Sequence, residues 1–179
     1  VENAITCCCV LISLGVNPAT IAGRMKNLHP VNMRLELKKG INHCTIINDS
    51  YSADLNSLEI ALNFLGQQSA GGNKTVILSD FLQCALPEEE LYTAILDKVK
   101  QHGVKRLIAI GERITVAIAL LENGSDLKTE FYKDTAVFAE EFLSSHFREE
   151  AILVKGARVF EFERIVQLLE LKAHQTVLE

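Results

Sequence analysis

The apolar positions of this chain change period near residue 30. Across residues 3–14 they lie on nearly every side of a helix. That run stops at Gly15, a residue suited to closing a helix. Asn17-Pro18 restarts a helix over 17–27, with Asn17 as N-cap and Pro18 in the first turn. Leu28-His29-Pro30 breaks it, because the residue before a proline is pushed out of the helical region. Beyond the break, Met33, Leu35 and Leu37 alternate with Arg34, Glu36 and Lys38, the period of a half-buried strand. Gly40-Ile41-Asn42 turns the chain, and residues 44–47 form a second strand, so the pair reads as a hairpin.

From there strands and helices alternate. Helices are expected over 56–68, 88–102, 114–122, 135–146 and 159–171, and strands over 75–78, 106–110, 129–132 and 151–154. Gly71-Gly72-Asn73 is a loop, Pro87 opens a helix that Gly103 closes, and Asn123-Gly124 stops the next. The strands 75–78, 106–110 and 151–154 are continuous apolar runs, as strands buried on both faces require. The pattern predicts an α/β fold: a Rossmann-like, mostly parallel sheet with one antiparallel edge strand and helices on both faces, preceded by a short helical segment. Residues 1–30 form that helical segment and 31–171 the α/β domain. Residues 172–179 are a linker or the first strand of a following domain, with a strand expected at 175–178.

A chain of 179 residues, 48% hydrophobic and 6% aromatic, can bury a full core without crosslinks. The net charge of −5 argues against nucleic acid or an anionic membrane, which want a basic face. The run Ile5 to Leu14 is about ten residues, too short to span a bilayer and closer to a buried helix. No basic start followed by an apolar core and a small-residue cleavage site marks a signal peptide. The chain opens with Val1, so the natural N-terminus is expected upstream. Cys7, Cys8, Cys9, Cys44 and Cys84 are odd in number and lack paired spacing, which excludes a disulfide framework or a zinc site. They read as buried small apolar residues, and free thiols fit a reducing cytoplasm.

In open α/β sheets ligands bind beyond the carboxyl ends of the strands. Those ends carry Asn48-Asp49-Ser50-Tyr51-Ser52-Ala53-Asp54, Asp80, Gly111-Glu112-Arg113 and Lys155-Gly156-Ala157-Arg158. One Asp49 carboxylate can accept two ribose hydroxyls at once, and Tyr51 can stack on a base; equally, Asp49 and Ser50 can simply start a turn. Asp54 and Asn56 read as helix caps, with Asn56 and Glu59 in capping-box spacing. Lys155-Gly156-Ala157-Arg158 joins a strand to a helix, where Gly permits close approach and the helix start favours an anion. Two cations there either grip a carboxylate or phosphate, or are surface charge around a turn. Arg34 either reaches a phosphate or faces solvent, and Asp80 either lines the site or caps a helix. His29, His43, His102, His146 and His174 lack metal spacing and read as structural or surface residues. The Glu88-Glu89-Glu90 run complements a helix dipole. Neither G-x-x-x-x-G-K-[ST] nor G-x-G-x-x-G occurs.

Taken in order, these residues resemble the Mur ligase family, and within it the branch that adds D-alanyl-D-alanine to UDP-N-acetylmuramoyl-tripeptide. Asn48-Asp49-Ser50-Tyr51-Ser52-Ala53 is similar to that branch's N/D-D-S-Y-N-A motif, with Ser57 following in both. Met33-Arg34-Leu35-Glu36 is similar to its R-x-E strand, and Val154-Lys155-Gly156-Ala157-Arg158 to its V-K-G-S-R motif. Glu2-Asn3-Ala4 resembles the end of its G-x-H-N motif. The resemblance covers residues 1–170. It implies the C-terminal domain of an ATP-dependent cytoplasmic ligase of peptidoglycan synthesis. That domain closes over ATP and positions the amine that attacks an acyl phosphate. By the same resemblance Asp49 holds the ATP ribose, with Tyr51 and Ser52 beside the adenine, Arg34 contacts the nucleotide, and Asn3 faces adenine. Lys155, Arg158 and Asp80 shape the site of the incoming amino component.

The phosphate loop, the Mg2+ ligands and the UDP-sugar site then belong to the protein's own N-terminal and central domains, residues 1–30 being the end of the central one. No catalytic residue and no metal ligand is expected here, and the isolated chain is expected to be inactive. The sequence departs from the pattern at Ser52 for Asn, Ala157 for Ser, Glu2 for His, Thr6 for Asn, Ser79 for Gly and Leu55 for Pro. The tail His174-Gln175-Thr176-Val177-Leu178-Glu179 resembles the first strand of alanine racemase, which some bacteria fuse behind this ligase. A sister ligase with another amine, including a folylpolyglutamate-type enzyme, and a non-catalytic nucleotide-binding module are the alternative readings.

Overall fold

A computed structural model describes residues 2–28, 32–69, 72–82, 84–122 and 126–170. The expected break at His29-Pro30, the stop at Asn123-Gly124 and the racemase-like tail lie outside the described residues. The chain divides into two compact units, residues 1–31 and 32–179.

The first unit is helical. α1 (Glu2–Ser13) closes at Gly15, where Val16 donates its amide to the Leu11 carbonyl at 3.0 Å and Gly15 donates to Ile12 at 2.9 Å. α2 (Pro18–Met25) starts with the Asn17 carboxamide accepting from the Ala19 amide at 2.8 Å. Cys8 meets the Met25 sulfur at 3.1 Å. Contrary to the expectation of a buried helix with buried cysteines, Ile5, Val10, Leu11, Ile12 and Leu14 are exposed, and so are Cys7 and Cys9. A helix that is apolar all round needs cover on every side, and α2 lies along one side only. Cys84, in the second unit, is exposed too, and Cys44 alone of the five is buried.

The second unit is a six-stranded sheet in the order β1-β2-β6-β3-β4-β5. Its strands are β1 (Glu36–Lys39), β2 (Thr45–Asp49), β3 (Asn73–Ser79), β4 (Arg106–Ile110), β5 (Lys128–Tyr132) and β6 (Glu150–Lys155). β1 pairs antiparallel to β2 at one edge and every other pairing is parallel. The helices are α3 (Leu55–Gln68), α4 (Glu88–Gln101), α5 (Glu112–Leu121), α6 (Thr135–Glu140) and α7 (Glu163–Leu169). Strand side chains alternate between two cores. Ile47, Val76, Leu78, Leu107, Ala109, Ala151 and Leu153 meet α3, α4 and α5 on one face. Ile46, Ile77, Ile108, Ile110, Ile152 and Val154 meet α6 and α7 on the other. Each fully buried Ile or Leu contributes about 1.5–3 kcal/mol of transfer free energy, which is why uninterrupted apolar runs occupy these central parallel strands.

Three expected boundaries are corrected. The first strand begins at Glu36 rather than Met33, because Met33 and Leu35 adopt positive φ. Their amides turn to side chains, Met33 to Glu36 at 3.3 Å and Leu35 to Asp49 at 3.2 Å. The helix expected over 135–146 ends at Glu140. Beyond it a 3-10 turn over Ser144–His146 is held from a distance, the Asn42 carboxamide donating to the Ser144 and Phe147 carbonyls and Arg106 to that of His146. The helix expected from 159 begins at Glu163, after a 3-10 turn over Arg158–Phe160 and a left-handed Glu161.

Candidate functional site

Parallel pairing puts the carboxyl ends of β2, β6, β3 and β4 side by side. Register makes Asp49 and Lys155 direct neighbours, Lys155 also pairs with Leu78, and Ser79 pairs with Ile110. The four polar segments singled out in the sequence therefore share one rim. Asp49 and Lys155 stand on the same sheet face as Ile47 and Leu153, the face covered by α3.

The Lys155 side chain is fully buried, and its ammonium donates to Asp49 Oδ2 at 2.6 Å and to the Ser52 carbonyl at 2.9 Å. An ammonium leaves water only when it is paired and hydrogen-bonded. Both bonds of Lys155, expected to position the incoming substrate, go to protein groups in this structure. Asp49 accepts from Leu35 through Oδ1 and from Lys155 through Oδ2. Each carboxylate oxygen has two lone pairs, so each keeps capacity for one more donor. Burial pushes the Asp49 carboxyl above the usual value, against the pull of Lys155, the Leu35 amide and Arg34. Around this pair lies a hydrogen-bonded backing: Ser50 donates to the Asn48 carboxamide oxygen at 2.6 Å, and Asn48 donates to Glu36 at 3.1 Å.

Tyr51 projects from the loop after β2 and is 39% exposed. The Arg34 guanidinium lies 4.4 Å from its ring centroid and that of Arg158 lies 5.8 Å away. One ring thus holds two exposed guanidinium groups, from residues on either side of β2, by cation–π attraction. Contrary to the expectation, a 3-10 turn and not a helix follows Lys155, so no helix start stands there to favour an anion. What remains positive is side-chain charge. Gly156 is required: a β-carbon on it would come within 2.5 Å of the Phe162 ring.

Asp54 caps α3, accepting the Ser57 amide at 2.8 Å and a bond from the Asn56 amide; Asp54, not the Asn56 side chain, is the N-cap. Asp80 is engaged in the same manner two strands over. Its Oδ1 accepts the Ile114 amide at 2.8 Å at the start of α5, with the Arg113 amide 3.5 Å from Oδ2. Burial pushes the Asp80 carboxyl up. Tyr92 lies buried nearby, its phenol raised by burial and by the Asp80 charge. His102 pairs with Glu59 at 3.1 Å, a structural contact. Asn3 is an exposed residue of α1 and belongs to the helical unit.

The structure therefore brings Arg34, Asp49, Tyr51, Ser52, Lys155 and Arg158 together in one unit, with Asp80 on the neighbouring strand end. One contributor was missed in the sequence. Ser79, read only as a departure, is fully buried; its hydroxyl accepts the Ala157 amide at 2.8 Å and donates to the Asp80 carbonyl at 3.0 Å. It ties the end of β3 to the 156–158 loop. A lone Ser at a strand end carries no sequence signal of that bond. Among the described residues no group of three or more His, Cys, Asp or Glu is placed to hold a metal ion. The rim can accept vicinal hydroxyls at Asp49 and an anion at the two guanidinium groups.

The family model for the Mur ligase glutamate ligase domain matches residues 33–158. UDP-N-acetylmuramoyl-tripeptide–D-alanyl-D-alanine ligase of Escherichia coli is 22% identical over 95% of this chain and 36% of its own length. The enzyme of the same name from Bacillus subtilis is 24% identical over 93% of the chain and 37% of its length. The chain thus spans about a third of these relatives. Among solved structures, a crystal structure of MurF from Acinetobacter baumannii superposes with a TM-score of 0.72 at 20% identity, over 94% of this chain and 37% of that one. MurF ligase from Thermotoga maritima in complex with ADP gives 0.63 at 15% identity, over 89% and 35%.

Proposed function

The chain belongs to the Mur ligase family through its glutamate ligase domain, and from that premise we propose that it is the C-terminal, ATP-facing part of the ligase that adds D-alanyl-D-alanine to UDP-N-acetylmuramoyl-tripeptide. The observation that carries this reading is the Asp49 carboxylate. It is fixed at the carboxyl rim by one donor per oxygen, with Arg34 and Arg158 held alongside on Tyr51. The names of the curated relatives, from two distant bacteria, supply the substrates.

On this reading Asp49 accepts the two ribose hydroxyls of ATP, and Arg34 neutralises charge on the nucleotide. Tyr51 and Ser52 border the adenine. Arg158 attracts the carboxylate of the incoming dipeptide. Asp80 keeps α5 and the Gly111–Arg113 turn in place beside it. ATP supplies the phosphoryl group that activates the acceptor carboxylate. The residues described here bind, orient and close over it, which is catalysis by proximity and gating. The metal ligands and the phosphate grip lie in other domains of the intact protein, so the 179-residue chain alone binds ATP weakly and turns nothing over. No helix among the described residues is long and apolar enough to cross a membrane, and the cytoplasm, where UDP-linked precursors and ATP meet, is the proposed location.

The test is phosphate release by the intact ligase from ATP and UDP-N-acetylmuramoyl-tripeptide, with D-alanyl-D-alanine compared against single amino acids and glutamate. Release that depends on the dipeptide is the expected result. Release with glutamate or a single amino acid in its place points to a sister ligase.

A further inference from the structure

A buried ion pair seldom adds net stability, since desolvating two charges offsets most of their attraction. The pair between Lys155 and Asp49 therefore needs another reason to exist. Its geometry supplies one. Lys155 sits at the last residue of β6 and reaches across to Asp49, the last residue of β2, and to the Ser52 carbonyl in the loop that follows. One ammonium thus sets the rotation of the Asp49 carboxylate and the path of the loop bearing Tyr51. The Leu35 amide fixes the other carboxylate oxygen. No donor of Lys155 points to solvent, because its side chain is 0% exposed, while that of Asp49 keeps 11%.

We propose that Lys155 is a positioning residue for the nucleotide, not a contact of the amino substrate: it aims the Asp49 carboxylate so that both ribose hydroxyls are read at once. This rests on the reading of Asp49 as the ribose acceptor. A carboxylate held at a fixed rotation distinguishes a vicinal diol from a single hydroxyl. A freely turning one does not. Loss of Lys155 therefore removes discrimination at the ribose.

The experiment compares ATP with 2′-deoxy-ATP in the intact ligase, before and after Lys155→Met. Wild-type enzyme is expected to prefer ATP by about tenfold or more in kcat/KM, the worth of a hydrogen bond to a charged group. Lys155→Met should bring that preference to within about twofold. If the wild type does not prefer ATP, the ribose reading of Asp49 falls and this inference with it. If the wild type prefers ATP and Lys155→Met prefers it equally, only the role of Lys155 falls. A rise in KM for the dipeptide alone also overturns it. Should Lys155→Met fail to fold, reductive methylation of the wild-type ligase with mass-spectrometric readout decides. Lys155 is expected to stay unmodified with and without each substrate; modification in the free enzyme that the dipeptide blocks contradicts the proposal.

Discussion

Gly111 and Asp80 lie so close that a β-carbon on Gly111 would come within 2.5 Å of Asp80 Oδ1. The glycine also has φ +134, a backbone conformation that side chains resist. The same carboxylate caps α5 through Ile114, so contact and cap are one device. Gly111→Ala is expected to lower stability by about 2 kcal/mol or more, through strain at φ and overpacking together. Denaturant unfolding of the chain reads this as a fall in midpoint.

Asp54→Ala removes the acceptor for the Ser57 amide at the start of α3. A loss of about 1 kcal/mol is expected, measured as a shift in unfolding midpoint. Asn56→Ala, which lacks a capping bond, should change stability little.

Arg106 meets Glu130 in a two-pronged pair, both bonds at 2.9 Å, with Lys128 also 2.9 Å from Glu130. Burial alone would raise the Glu130 carboxyl, but these cations outweigh it and hold the carboxyl below its usual value. A depressed carboxyl contributes stability above its unfolded value and loses it as pH falls through the lower folded one. The wild type should therefore lose stability below about pH 4.5, the unfolded Glu value. Glu130→Gln should be less stable at pH 7, by on the order of 1 kcal/mol, and should show a shallower acid decline. Equal acid slopes would contradict the pairing.

Tyr51→Phe keeps the ring that Arg34 and Arg158 lie against, and Tyr51→Leu removes it. Each exposed cation–π contact is worth about 0.5–1 kcal/mol. In the intact ligase Tyr51→Leu should raise KM for ATP roughly two- to fivefold, and Tyr51→Phe should leave it near wild type.

The parts of the fold legible in the sequence are those set by local pattern. β4, for example, is expected and observed over Arg106–Ile110, because every inward position on both faces is apolar. Asn17 reads as a cap because its partner is two residues away. The parts that were not legible depend on distant partners. The late start of β1 follows from Leu35 bonding Asp49, fourteen residues on. The segment after the early end of α6 is held by distant donors, Asn42 and Arg106. Glu161 in the left-handed region delays α7, and no residue type there announces it. At the site, strand-end position alone placed Asp49, Asp80 and Lys155 on one rim. It did not show that Lys155 turns inward to Asp49 across 106 residues, or that Ser79 joins β3 to the loop after β6.

Asp49 is the proposed anchor of the nucleotide. The direct measurement is ATP affinity of the intact ligase by isothermal titration, wild type against Asp49→Asn, with both proteins verified as folded. Asparagine keeps the size of the side chain but loses the charge and one acceptor. Affinity should fall at least about tenfold, as expected for hydrogen bonds to an ionised group. Unchanged affinity in the folded variant would contradict the account.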